Sequence, residues 1–353
     1  MINEHLLDLY TDYLIICPKQ TTATGLSALL NEQITHDQVT RMLSGGGIDS
    51  KQLWKHVKPM CQEMSSDDAV LIFDDSIQEK PYTDVNGLVS WHFDHTKGRS
   101  VKGINFMSAL YHSKEMSLPV GVEFIVKDRV ASQGQGNKRY KSAKTKNEYY
   151  RDMILQACDN LYFRYVLNDS WYSSSQNMNW VKQHCRVDFI MAIKENRKVA
   201  LSKQDKQQGH YTSIKSLKLE ECAVSVYVEQ LDFPLLVTKQ VFKNGDGSTG
   251  ALYLACSDQN LTFDQITTIY KKRWKVEQYH KSLKSNTAFG KSPTHTINTQ
   301  ISHFIASLIA FVKLERLQVR CNQNHFALKN KIWIPAAQQA WLSLKQLSTP
   351  HAA

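Results

Sequence analysis

The sequence predicts an α/β fold, and three patterns predict it. Apolar runs of strand length alternate with helical patterns between residues 68 and 193. A block of strand-like runs fills residues 198–258. Helical periodicity returns from about Phe263 to Gln318. The chain has 353 residues, enough for a large core and one to three structural units.

Residues 1–65 read as helical. Leu6, Leu7, Tyr10 and Leu14 follow helical spacing, and Leu26, Leu29 and Leu30 make a second short stripe. Thr35 is a cap candidate for a third helix with Val39, Met42 and Leu43, ending at Ser44-Gly45-Gly46-Gly47. Two short helices about Asn31-Glu32-Gln33 fit a helix-turn-helix with Arg41 near DNA, and equally a small helical bundle. Next comes a buried apolar strand, Val70-Leu71-Ile72-Phe73, ending in Asp74-Asp75. Strands at Leu88–Phe93, Ile104–Tyr111 and Leu118–Val126 follow. Residues 128–147 form a basic loop with Lys138, Arg139, Lys141, Lys144 and Lys146. Thr145 and Glu148 stand in capping-box spacing and open a helix. The strand Tyr165–Asn168 leads into Asp169-Ser170-Trp171-Tyr172; a helix near Gln176–Gln183 and the strand Phe189–Ile193 complete the alternation.

Residues 198–258 read as a mostly β insertion, with Asn244-Gly245-Asp246-Gly247 as a hairpin signal. The tail after Asn322 is poorly periodic apart from a helical pattern at Pro335–Leu347. The expected organisation is a helical region over 1–65, a first core part over 66–197, the β-rich insertion over 198–258, core helices over 259–320 and a tail over 321–353.

Charge and cysteine usage narrow the function. Lys and Arg number 43 against 33 Asp and Glu, giving +10, which favours a polyanionic partner. Seven cysteines without CxxC spacing predict reduced thiols in a cytosolic protein, with no disulfide frame and no zinc ribbon. The longest apolar stretch, Phe304–Val312, covers about half a membrane span, so no membrane partner is expected. Gly290-Lys291-Ser292 lacks the glycine that a phosphate loop needs five positions earlier, where Ser285 stands. Trp91 to Arg99 contains His92 and His95; it reads as a strand end and turn whose Lys97 and Arg99 can meet phosphate, in preference to a metal site.

The chemistry concentrates on one helix. At ~100° per residue, Tyr270, Arg273, Glu277 and Lys284 fall within an arc of roughly 60°. Ile269, Val276 and Leu283 form a separate apolar stripe. Arg273 and Glu277 alone would be an ordinary i,i+4 surface pair worth ~0.2–0.5 kcal/mol. Joined to aspartates at two strand ends, Glu277 completes a set of hard oxygen ligands suited to divalent cations.

This set resembles the bacterial insertion-sequence transposases of the DDE type. Tyr270-x2-Arg273-x3-Glu277-x6-Lys284 is similar to the YREK signature of the insertion-sequence group conventionally numbered four. Asp74-Asp75-Ser76 resembles that group's Asp-x-Thr/Ser element, and Asp169-Ser170-Trp171-Tyr172 its Asp-x-x-Tyr/Phe element. The resemblance covers roughly residues 65–318. It implies an RNase H-like mixed sheet flanked by helices, with Asp74, Asp169 and Glu277 as catalytic residues holding two Mg²⁺ ions, Mn²⁺ being a substitute. Tyr270, Arg273 and Lys284 would grip phosphates. The implied activity is phosphodiester hydrolysis and strand transfer on double-stranded DNA at element ends and target, by a homodimer in a synaptic complex, in the cytoplasm on the nucleoid. The alternative is an inactive or domesticated DNA-binding derivative. The family's first aspartate is usually not doubled, so Asp75 is a competing ligand. Strand alternation sends the two carboxylates to opposite faces without choosing between them, and Asp74 is preferred because it keeps Asp-x-Ser in register.

Overall fold

The computed structural model describes residues 3–131, 139–243 and 245–348. Lys138 of the basic loop and Asn244 of the hairpin signal lie outside the described residues, as does the side chain of Arg139. The helices are α1 (Glu4–Ile16), α2 (Ala23–Leu29), α3 (His36–Ser44), α4 (Ser50–Glu63), α5 (Lys146–Asn160), α6 (Ser175–His184), α7 (Lys203–Gln207), α8 (Phe263–Lys271), α9 (Trp274–Asn286), α10 (Ile297–Cys321) and α11 (His325–Ser348). The strands are β1 (Val70–Glu79), β2 (Val89–Asp94), β3 (Arg99–Ser113), β4 (Met116–Phe124), β5 (Arg129–Ala131), β6 (Arg139–Lys141), β7 (Tyr165–Asn168), β8 (Asp188–Ile193), β9 (Lys198–Val199), β10 (Thr212–Ser213), β11 (Val224–Val226), β12 (Leu235–Lys243) and β13 (Thr249–Cys256).

Two compact units are present: residues 58–81 with 85–278, and residues 1–57, 82–84 and 279–353. The first holds a nine-stranded sheet in the order β11-β12-β13-β8-β7-β1-β3-β2, with β4 also paired to β3. β7 runs parallel to both β1 and β8, while the other pairings are antiparallel. This is the mixed sheet flanked by helices expected of an RNase H-like core. Parallel strands at the centre need both faces covered, and β1 and β7 accordingly open with the wholly buried runs Val70–Phe73 and Tyr165–Asn168.

β1 departs from expectation. The strand does not stop at Asp74-Asp75 but continues to Glu79, because its antiparallel register with β3 persists from Val70↔His112 to Glu79↔Gly103. Its parallel pairing with β7 covers only Val70–Ile72. The apolar run ends where β1 loses one neighbour, so Asp74 lies beside the mouth left by the end of β7.

The β-rich segment is no separate module. β11, β12 and β13 extend the main sheet, and β13 pairs with β8 through Tyr253↔Ile193 to Cys256↔Ile190. The expected hairpin is the β12–β13 pair.

The second unit is helical. α10 is buried along most of its length, from Thr299 to Leu314. It is long and apolar enough to cross a membrane, but it serves here as a core helix. α1 packs on it: Tyr10 Oη lies 2.9 Å from His303 Nδ1, and Lys313 pairs with Asp8 at 2.7 Å and Asp12 at 2.6 Å. The Thr35 cap is a full capping box with Gln38. α4, which hydropathy periodicity did not single out, closes the N-terminal stretch. The tail expected to be mostly irregular is one helix, α11, with Pro335 inside it.

Candidate active site

Asp169 follows the last residue of β7, at the carboxyl end of two parallel pairings, where loops rather than strands continue and side chains can converge. Its Oδ1 accepts the Trp171 backbone N–H at 2.9 Å, which fixes the turn. The turn is anchored from below. Asn168, fully buried, accepts from Tyr150 Oη at 2.8 Å and donates through Nδ2 to the Asp169 carbonyl at 2.8 Å. The Ser173 hydroxyl donates to the same carbonyl at 2.9 Å. Asn177, on α6, donates to the Tyr172 carbonyl at 2.9 Å. Each buried polar group thereby finds a partner.

Asp74 and Asp75 leave β1 on opposite faces, as strand alternation requires. Their surroundings differ in part. Asp75 is engaged by two groups: Tyr172 Oη donates to Oδ1 at 2.7 Å, and Lys146 Nζ donates to Oδ2 at 2.6 Å. Asp74 meets the other acids. Burial, then the charges of Asp75, Glu277 and Asp169, push its carboxyl up to about 8, with Arg273 opposing. Burial likewise raises Asp169, opposed by the Trp171 N–H and by Arg273. Asp74, Asp75, Asp169 and Glu277 therefore share one electrostatic neighbourhood, although about a hundred residues of chain separate the β1 pair from Asp169 and Asp169 from Glu277.

Glu277 reaches this neighbourhood through a helix that is not continuous. α8 stops at Lys271 and α9 starts at Trp274. Between them the N–H groups of Lys272, Arg273, Lys275 and Val276 each bond three residues back, to Ile269, Tyr270, Lys272 and Arg273. This tightened turn advances faster per residue than an α-helix and eclipses positions i and i+3. Arg273 consequently lies over the Tyr270 ring, its guanidinium carbon 6.0 Å from the centroid. The single 100°-per-residue face predicted for Tyr270 to Lys284 does not hold through the junction. Tyr270 is buried while Ile269 is only half-buried, the reverse of the expected stripe. Lys272 pins the junction to the start of the sheet, with Nζ 2.8 Å from Asp68 Oδ2 and 2.7 Å from the Asp68 carbonyl.

The expected phosphate contacts are placed unequally. Tyr270 is buried and donates its hydroxyl to the Asn168 carbonyl at 3.2 Å, which ties α8 to the residue before Asp169. Arg273 extends NH1 toward Glu277 Oε1 at 3.4 Å. Lys97, paired with Glu79, and Arg99 lie at the β2–β3 turn. Arg41 and Lys284 are exposed and belong to the helical unit. His92 and His95 do not form a ligand pair: His92 is buried against Ser90, while His95 stands between aromatic rings. Sequence reasoning missed Asn168, Ser173 and the Lys146–Asp75 pair. A polar amide closing a buried apolar run was the one signal for Asn168.

Among the described residues no three carboxylate, imidazole or thiol groups stand together as a ready-made cation cage. The donor set nevertheless suits Mg²⁺, which takes one or two carboxylates and completes its octahedron with waters and phosphate oxygens. The mutual repulsion that raises Asp74 is what a divalent cation would relieve.

Comparison with known families agrees with this geometry. A family model described as DDE superfamily endonuclease matches residues 3–216. One described as transposase DDE domain matches residues 133–312. Asp74 falls in the first match, Glu277 in the second and Asp169 in both. No curated protein matches the chain.

Proposed function

The chain belongs to the DDE superfamily of endonucleases, with a transposase DDE domain, and from that premise we propose that it is a Mg²⁺-dependent transposase. It would cut and join DNA at the ends of an insertion sequence of the YREK group. The observation that carries this reading is the gathering of Asp74, Asp75, Glu277 and Asp169, distant in sequence, into one charge cluster beside Arg273. We assign Asp74, Asp169 and Glu277 as the metal-holding acids. Asp75, held by Tyr172 and Lys146, is the residue that orients β1. Two divalent ions held there would activate water or a 3′-hydroxyl and stabilise the leaving oxygen.

The chain's own groups do the rest. Arg273 lowers the cost of crowding three carboxylates and faces the incoming phosphate. Tyr270 and Asn168 hold the Asp169 turn rigid, so that carboxylate keeps one orientation. Lys97 and Arg99 in the sheet unit take DNA phosphates, and Arg41 and Lys284 are separate phosphate contacts of the helical unit. A cytoplasmic, nucleoid-associated location goes with this reading.

Purified protein should nick DNA carrying the element ends only when Mg²⁺ or Mn²⁺ is present, and should yield joined product when target DNA is added. Its affinity for that DNA should fall steeply with salt. Nicking without joining would reduce the assignment to a nuclease; neither reaction would leave a DNA-binding derivative.

Joining two ends calls for two copies. α11 exposes Ile334, Trp341, Leu342 and Leu344, and apolar side chains left open together mark a protein contact. A homodimer formed through α11 should become monomeric in the Trp341→Asp variant, as read by light scattering. An unchanged mass would remove α11 from the contact.

A further inference from the structure

A row of aromatic side chains lies beside the carboxylates and contributes little to the core. β2 turns Trp91 and Phe93 to one face, 57% and 55% exposed, while His92 between them is buried. The His95 ring lies 4.9 Å from the Phe93 ring at 75° and 5.7 Å from the Trp171 ring at 49°. Trp171 is itself 56% exposed. The row thus runs from β2 to the loop whose backbone N–H holds Asp169. β2 is the last strand in the sheet order, and large apolar groups on such a strand invite unwanted pairing unless something uses them.

Cations and acids both border the row: Lys97 pairs with Glu79, Lys146 pairs with Asp75, and Asp94 accepts the backbone N–H groups of Thr96 and Lys97. Lys97 and Arg99 sit on the turn that follows β2. Lys127 donates to the Trp91 carbonyl, and Lys146 holds Asp75. Half-exposed rings with lysine and arginine nearby suit single-stranded nucleic acid, whose bases offer π-faces and whose backbone offers charge. Inside a duplex the base faces are covered by their neighbours, whereas an unpaired base can offer both.

We propose that Phe93, His95 and Trp171 form a stacking platform that takes unpaired nucleobases at a DNA end beside the acid cluster. The proposal rests on DNA being the substrate, as argued above. It adds a preference for ends that are frayed or carry a single-stranded extension.

The test is equilibrium binding in EDTA, where no cleavage occurs. The probes are a blunt duplex and the same duplex with a single-stranded extension carrying 2-aminopurine. Wild-type protein should bind the extended duplex about tenfold tighter and quench the 2-aminopurine fluorescence. Trp171→Ala and Phe93→Ala should each lose most of that preference and quenching, and Trp171→Tyr should keep them. Glu277→Ala should keep both, because the acids take no part in stacking. Equal affinity of the wild type for the two probes would overturn the platform. So would a Trp171→Ala protein that retains preference and quenching, or one that changes only self-association, which would make the row a protein contact. A protein that prefers the extension yet never cuts DNA with Mg²⁺ would refute the transposase reading and leave the platform standing.

Discussion

Glu277→Ala and Asp169→Ala should each lower Mg²⁺-dependent strand cleavage by about a thousandfold or more, because each removes an oxygen ligand from ions that activate the nucleophile. Binding to the same DNA should stay within about threefold of wild type, since phosphate contacts from Lys and Arg supply most affinity. A gel assay of nicked product and a binding titration measure the two quantities. Arg273 makes the Glu277 variant informative. Its guanidinium reaches toward Glu277 Oε1 and also opposes the charge of Asp74 and Asp169, so removing Glu277 leaves the remaining acids better balanced. The variant protein should therefore fold at least as well as wild type. Cleavage at wild-type rate by either variant would dismiss the assigned acids.

Asp74→Asn should inactivate the protein and stabilise its metal-free form. Burial and three neighbouring carboxylates raise the Asp74 carboxyl to about 8, whereas its ordinary value is 3.8. The raised value means that the stabilising contribution of the protonated acid is complete below the ordinary value. It is lost progressively as pH climbs toward the folded value, because the unfolded chain releases the proton first. The slope is roughly 1.4 kcal/mol per pH unit between those limits. Asparagine is nearly isosteric with the protonated acid, retains an oxygen for the Asp75 N–H that Asp74 Oδ1 accepts at 2.9 Å, and does not titrate. In EDTA the variant should be more stable than wild type near pH 7.5, and its advantage should shrink by about 3 kcal/mol at pH 5.5. Denaturant unfolding at the two pH values measures the difference. A gap that stays constant with pH would contradict the burial of Asp74 among like charges. Such a gain would exemplify an active site that is costly to the fold that carries it.

What could be read from the sequence was local. Thr145 and Glu148 form the predicted capping box, with Thr145 N–H bonded to Glu148 Oε2 at 2.6 Å, because both partners lie within one turn. The buried strands ending near Asp74 and Asp169 were legible as apolar runs. The length of β1 was not, since it depends on a partner, β3, that still pairs after β7 has ended. The partners of Asp75 were equally closed to sequence: Tyr172 lies 97 residues away and Lys146 lies 71. No periodicity carries such a pairing. The tightened turn at Lys272–Arg273 also escaped, because side-chain spacing barely distinguishes a helix bonded four residues back from one bonded three back. That turn breaks the single face expected to run from Tyr270 to Lys284.

The long antiparallel seam between β1 and β3 has a consequence in time. β1, β2, β3 and β4 are neighbours along the chain and can zip together as they leave the ribosome, whereas β7 must find β1 across a much longer loop. Asp74 is thus set in place early, Asp169 later and Glu277 last. At roughly 5–20 residues per second of synthesis, the intervals are on the order of 5–20 s each. A newborn chain holds an incomplete blade until Glu277 has been made.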